Sequence, residues 1–320
     1  MPRVGRAMAW DADGDACRLR SMSTSTAVLL TCHGTVDRVE DIPAFLTNIR
    51  RGRPTPASIV EEITHRFQRI GGSPLMRTMA AQAAALGERV GLPVRIAGRL
   101  WAPYPAEVVA ELVQSGTTTL ISLPMAPQSV DIYHAQVRQA AAAHPGLTLR
   151  CAPTWGLEPA LIDALVGSVD EALARFPDAE RASVPVILTA HSLPKAIIDA
   201  GDPYEKQFRA MAAEVAVRLV ARGNPVRVAF QSQGMDGGVW LGPDLPATFA
   251  KLVEEGRRSA VIAPIGFVAD HVETLYDLDV EAPGLAEKAG LERLERAPAM
   301  NVRPRFIDAL EAVVRRLMVP

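Results

Sequence analysis

The sequence predicts an α/β protein of two doubly wound units, each built on a parallel sheet, with a cleft between them. Three observations predict it. The first is an internal echo: residues 28–33 read Val-Leu-Leu-Thr-Cys-His and residues 186–191 read Val-Ile-Leu-Thr-Ala-His. Apolar runs of this length, closed by turn formers (Gly34-Thr35; Ser192-Leu193-Pro194), read as strands buried in a parallel sheet. The second is that the echo continues: a strand ending at Pro124 leads to Ser129-Val130-Asp131-Ile132-Tyr133, and a strand ending at Pro264 leads to His271-Val272-Glu273-Thr274-Leu275-Tyr276. The third is that strands alternate with helical stretches along 320 residues, enough for two such units with right-handed crossovers.

The elements follow in order. After the first strand, Asp41-Ile42-Pro43 opens a helical stretch through Arg50, and Arg50 to Pro56 is a basic loop. A helix over residues 58–70 is expected to start on Ser58, with Glu61 completing a capping box. It stops at Gly71-Gly72-Ser73-Pro74, and a helix over 75–90 ends at Gly91. A strand over 94–97, a helix over 105–115 and a strand over 117–123 complete the first plan. The second plan has strands at 184–190, Val226–Gln231 and Ser259–Ala263, and helices at 203–222 (capped by Asp202) and 245–256. An amphipathic helix over 304–318 closes the chain. The expected units are two Rossmann-like domains, residues 27–155 and 156–320, behind a disordered extension of residues 1–26 in which Met8 and Met22 are alternative starts.

Composition narrows the functions. Hydrophobic content of 48% and charged content of 22% fit a globular chain. A net charge of −2 argues against a nucleic-acid partner, which calls for a basic excess. The 3 cysteines, Cys17, Cys32 and Cys151, form no CxxC and suit a reducing cytoplasm. No apolar stretch is long enough to span a bilayer, and no secretory leader is legible. Neither a GxGxxG turn after a strand, a phosphate loop, nor a GxSxG elbow is present.

A His where a parallel strand ends sits at the carboxyl edge of its sheet, where open α/β sheets place ligands. This nominates His33 and His191. A neutral imidazole there accepts a proton or ligates a borderline metal. Glu273 and Asp277, four apart, share one face of a helix, with Asp270 near it. Such a carboxylate row is ordinarily a solvated surface. Flanked by Phe267, Val268 and Leu275 just after a strand end, it reads instead as a stripe entering the cleft, suited to passing a divalent cation along. Arg50, Arg51, Arg53, Arg66 and Arg69 form a basic cluster, and arginine forks are the usual carboxylate partners. Trp240 is expected to be buried, or to support a cleft wall.

Taken together, these segments resemble the ferrochelatases, which insert ferrous iron into porphyrins to make haem. The resemblance spans residues 27–318 and is carried by His191-Ser192-Leu193-Pro194, Gly201-Asp202-Pro203-Tyr204, Gln231-Ser232, Trp240 to Asp244, and Gly266 to Asp277. The basic loop and Gly71 to Leu75 look most like the Gram-positive type, whose members commonly use coproporphyrin III rather than protoporphyrin IX. The resemblance implies a chelatase-like fold with a porphyrin cleft. It also implies that His191 is the cleft histidine for metal or pyrrole protons, Glu273 its carboxylate partner, and Asp277 a continuation of the metal path. By the same resemblance, Arg50, Arg66, Ser73 and Tyr133 fall at or near positions that contact the porphyrin. His33 stands where the Gram-positive type has an iron-ligating Tyr, and is a candidate axial ligand; Trp101 replaces a Tyr or His. With no cysteines at the C-terminus, no iron–sulfur cluster is expected, nor any other permanent cofactor.

The implied chemistry is coherent. A porphyrin held bent exposes its nitrogen lone pairs, with remote carboxylate contacts supplying the strain energy. The expected partners are the porphyrin and ferrous iron; a monomer is expected, with peripheral membrane or haem-pathway enzyme contacts left open. Two other readings stand beside this one: a cobalt or nickel chelatase of a related tetrapyrrole pathway, and a haem carrier without turnover, using His33 and His191.

Overall fold

The computed structural model describes residues 25–234 and 238–319; both alternative starts and nearly all of the expected extension lie outside the described residues. The first half runs β1 (Ser25–Cys32), α1 (Ile42–Ile49), α2 (Ala57–Arg69), α3 (Leu75–Val90), β2 (Val94–Gly98), α4 (Pro105–Gln114), β3 (Thr117–Pro124), α5 (Asp131–Ala142) and β4 (Thr148–Cys151). The second runs α6 (Pro159–Leu173), α7 (Asp178–Arg181), β5 (Val186–His191), α8 (Lys195–Asp199), α9 (Tyr204–Val220), β6 (Val226–Gln231), α10 (Leu245–Glu254) and β7 (Ser259–Ala263). A π-helix (Glu273–Glu281), α11 (Ala282–Ala289), β8 (Arg293–Arg296) and α12 (Pro304–Met318) follow.

The repeated words in the sequence are repeated places in the fold. The strand orders are β2-β1-β3-β4 and β6-β5-β7-β8, and every pairing is parallel. β1 and β5, the strands that lead to His33 and His191, hold the same position in their sheets, and so do β3 and β7. Residues 27–30 and 186–188 are fully buried, because helices cover both faces of each sheet. The outer strands β4 and β8 leave no apolar signature: neither has a buried residue and each carries Arg, so edge pairing rather than burial defines them.

One continuous core joins the halves, built from β1, β3, β5, β7, α3, α6, α9 and α12. The C-terminal helix, expected with the second unit, lays its apolar face into the core shared by both halves, and it reaches the first half through Phe306 on Trp155 at 6.1 Å and Asp308 with Arg89 at 3.0 Å. Phe208 in this core is 0% exposed and meets Phe230 at 5.4 Å. Phe208→Ala is therefore expected to lower stability by about 3–5 kcal/mol, the usual cost of an aromatic-sized void, read from a urea unfolding midpoint with unchanged slope.

Helices α1 and α2 carry a separate small core of Val36, Ile42, Phe45, Leu46 and Phe67, and stand against the cleft. The expected cap on α2 is not formed: the helix starts at Ala57 with Pro56 ahead of it, so Ser58 lies inside the first turn. Pro56 fixes an extended approach without needing a side-chain acceptor. α9 starts at Tyr204 with Pro203 at its cap position rather than Asp202; Asp202, one residue earlier, still accepts from the Tyr204 N–H through Oδ1 at 2.9 Å.

Candidate active site

In parallel sheets the residues after each strand gather at one edge. Here His33 follows β1, Arg99 follows β2, Tyr133 lies beyond β3, His191 ends β5, Ser232 follows β6 and Glu273 lies beyond β7. Close backbone approach shapes these loops. A side chain at Gly98 would meet Trp101 O at 2.3 Å and Gly34 Cα at 2.9 Å, so the turns that carry His33 and Arg99 pack glycine on glycine. The two edges are fastened across the cleft by Ser129, whose Oγ donates to Asp202 Oδ1 and whose N–H donates to Gln207 Oε1, each at 2.9 Å.

The His191 ring Nδ1 meets the Ser192 carbonyl, which leaves Nε2 facing the Glu273 Oε1 at 3.5 Å. Tyr204 donates its hydroxyl to the His191 carbonyl at 2.9 Å, so the Gly201–Tyr204 segment holds this strand end in place. The second Glu273 oxygen lies 3.5 Å from His271 Nε2. Burial alone would keep the His191 imidazole neutral, but the Glu273 carboxylate outweighs it and pushes the pKa up to about 9. Burial likewise disfavours the Glu273 carboxylate, and the two imidazoles override it, holding it well below the usual range. Where the sequence suggested a neutral His191, the pairing with Glu273 favours the imidazolium–carboxylate form before substrates bind.

The acidic row lies on the π-helix rather than an α-helix, and its widened turns keep Glu273, Asp277 and Glu281 along one side. Asp270 does not join them. It is taken by Arg296 at 3.1 Å, Asn301 at 2.8 Å and Thr274 at 3.2 Å, and serves as a brace for the helix start. Asp277 is buried, accepts from the Ser232 hydroxyl, and pairs with Arg66 Nη1 at 3.1 Å. Its pKa rises to about 6, first because it is buried and further because Glu273 is near, despite Ser232 and Arg66.

His33 is open to the cleft, with its ring edge-on to Phe45 at 6.0 Å. The enclosing walls lower its pKa; Glu273 opposes this and Arg99 adds to it, so His33 is neutral. Tyr133 is pushed up to about 12 by burial. Among the described residues no group of three or more His, Cys, Asp or Glu side chains forms a metal cage. The residues expected to handle metal are instead distributed: the His191–Glu273 pair, Asp277 farther along the π-helix, and His33 on the other half.

The expected porphyrin contacts divide similarly. Ser73 is buried with its hydroxyl unpartnered among the described residues. Arg50 bonds the Pro54 carbonyl at 3.2 Å and has no carboxylate partner among the described residues. Arg66, by contrast, is engaged with Asp277 and with Glu62 at 2.7 Å. Trp240 is half-buried rather than buried, closing over Gly234. The sequence reading passed over two residues. Arg99 stands over the Tyr133 ring at 5.9 Å with its buried Nε unpartnered and no carboxylate in reach among the described residues. The strand-end rule that found His33 also points to Arg99, one residue past β2. His271 is two residues before Glu273, a spacing that diverges on a helix but converges here because His271 precedes the helix.

Solved structures place this duplicated fold with the two-lobed chelatases. SirB from Bacillus subtilis, determined with Fe3+, aligns with a TM-score of 0.60 at 14% identity over 92% of this chain and 96% of SirB. The SirB of the spizizenii subspecies, described as a sirohydrochlorin chelatase in complex with cobalt, aligns at 0.56 and 15% over 92% of this chain and 97% of that one. At such identities the likeness is one of fold. Sequence carries the assignment further. The sequence model of the ferrochelatase family matches residues 25–318. A ferrochelatase of Acidobacterium capsulatum is 36% identical over 305 residues, 90% of this chain and 93% of that one. The coproporphyrin III ferrochelatase of Bacillus subtilis is 34% identical over 303 residues, 90% of this chain and 96% of its own. The chain belongs to the ferrochelatase family, enzymes that place iron in a porphyrin.

Proposed function

We propose that this ferrochelatase metallates coproporphyrin III, with His191 and Glu273 as the catalytic pair. The observation that carries the pair is the carboxylate of Glu273 held between His191 and His271, each at 3.5 Å, on the cleft wall. Ferrous iron arriving at the pair displaces the His191 proton, freeing Nε2 as a ligand beside the Glu273 oxygen. Passing the iron into the ring releases two pyrrole protons. One restores the His191 imidazolium; the other leaves through Glu273 and His271. Two protons thus reach solvent for each iron inserted, and the pair returns to its starting state. His33, neutral on the first half, would serve as the ligand that meets the metal from the other face.

The substrate choice rests on uncompensated cations. Arg50, Arg51, Arg53 and Arg99 are among the ten arginines of the described residues that have no carboxylate partner there; the other sixteen are paired. Coproporphyrin III brings four propionates and protoporphyrin IX two. A hydrogen bond to a charged group contributes about 1.5–3 kcal/mol, so one extra matched propionate corresponds to about tenfold or more. Fe(II) insertion measured side by side is expected to give a kcat/KM about tenfold or more higher for coproporphyrin III; equal values would remove the substrate assignment. No helix among the described residues is long and apolar enough to cross a membrane.

A further inference from the structure

Arg66 is expected to bind a porphyrin carboxylate, yet in this structure it is committed elsewhere. It belongs to α2 of the first half, and its Nη1 pairs with Asp277 of the second half at 3.1 Å. Its Nε stays with Glu62, one turn back on its own helix, at 2.7 Å. The guanidinium also lies over the Tyr276 ring at 4.8 Å, and His65 meets the same ring edge-on at 6.2 Å. Both Asp277 oxygens are consequently taken, Oδ1 by Arg66 and Oδ2 by Ser232. A cation approaching Asp277 meets the Arg66 charge and two oxygens that each already accept a hydrogen bond.

We propose that Arg66 is an exchange latch: it occupies Asp277 in the porphyrin-free protein, and a porphyrin carboxylate that draws the guanidinium away opens Asp277 to ferrous iron. The Glu62 contact serves as a pivot, since Nε can stay bound while Nη1 changes partner. The Arg66 side chain is 21% exposed and reachable, whereas Asp277 at 6% is sheltered behind it. A propionate offers the fork two oxygens and matches the bond that is given up. Once released, Asp277 stands between Glu273 and Glu281 without its cation, and that row then attracts a divalent ion. The acidic route is thereby open when the ring is seated and closed when it is not, which keeps iron from loading an empty cleft. Linkage requires the converse: iron in the row must tighten porphyrin by the same factor. The inference rests on the reading of Asp277 as part of the iron route.

Two calorimetric titrations on the full chain, with Zn(II) as a redox-inert probe, test it. Without porphyrin, Arg66→Gln is expected to bind Zn(II) about fivefold or more tighter than the parent, the lower end of usual site-to-site coupling. The double variant Arg66→Gln, Asp277→Asn is expected to lose that gain. The second titration uses the parent chain alone. Copper coproporphyrin III, which accepts no further metal, should tighten Zn(II) by a similar factor, and its tetramethyl ester, at a concentration that saturates the Soret shift, should not. Equal Zn(II) affinity for parent and Arg66→Gln, retention of the gain in the double variant, or equal effects of acid and ester overturns the latch. The underlying reading fails separately: an unchanged KM for Fe(II) in Asp277→Asn removes Asp277 from the iron route, whatever Arg66 does.

Discussion

Glu273→Gln is expected to slow iron insertion by about a hundredfold or more, within the usual range for a group that handles protons in the transition state, while porphyrin affinity stays near the parent value. Shape is conserved in this substitution and charge is not. The charge of Glu273 raises the pKa of both His191 and His33, and the same side chain hydrogen-bonds His271. Without it, burial governs His191, whose pKa falls, and the cleft loses its one anionic oxygen beside Nε2. Iron then meets an uncharged amide, and the second pyrrole proton loses its way out through His271. Stability should report the same pairing. The His191 pKa is raised from 6.5 to about 9, so its contribution is fully present below 6.5 and disappears as pH climbs through 9. The parent should exceed Glu273→Gln in melting temperature at acid pH, and the gap should narrow across that window. A variant with near-parental turnover, or a gap that widens toward pH 9, would contradict this account.

Much of the scaffold was readable because burial writes strongly into sequence. The runs ending at Cys32 and His191 are apolar since helices cover both faces of their sheets, and their likeness reflects identical positions in duplicated sheets. What burial does not write was lost. β4 and β8 are held by edge pairing, and Ser58 satisfied a capping rule that Pro56 made unnecessary. The site was half legible for a related reason. Position at a strand end follows from the local pattern, so His33 and His191 could be found. Partnership depends on the other half of the molecule. That Arg66 is held by Asp277, 211 residues away, that Asp270 belongs to Arg296 and Asn301, and that His271 shares Glu273 are facts of tertiary contact. Asp131 makes the same point from the other side. It echoes Glu273 in the sequence, yet its side chain is 80% exposed and pairs with Arg138 on its own helix. The duplication therefore reproduced the sheet and left the acidic machinery in one copy.

His191→Ala is expected to abolish measurable insertion, a loss of about a hundred- to ten-thousandfold for a proton-handling residue, and its pH profile is the sharper test. In the parent, His191 carries a proton at neutral pH because Glu273 holds it there. Metal and proton compete for Nε2, so kcat/KM for Fe(II) should rise with pH from 6.5 and level off near 9, measured anaerobically. Metal binding near neutral pH should also release a proton, visible as a dependence of the binding heat on the buffer's ionisation enthalpy. In His191→Ala both signatures should vanish together, and added imidazole should restore part of the rate along with the rising pH dependence. His33→Ala separates the two histidines. His33 is neutral already, so its removal should leave the slope of the profile intact while altering how tightly the metallated product is held. A parental profile that is flat or falling between pH 6.5 and 9 would mean that the His191 proton is not the one displaced by iron. The burden of metal entry would then shift to Asp277, whose pKa near 6 leaves it already ionised across that range.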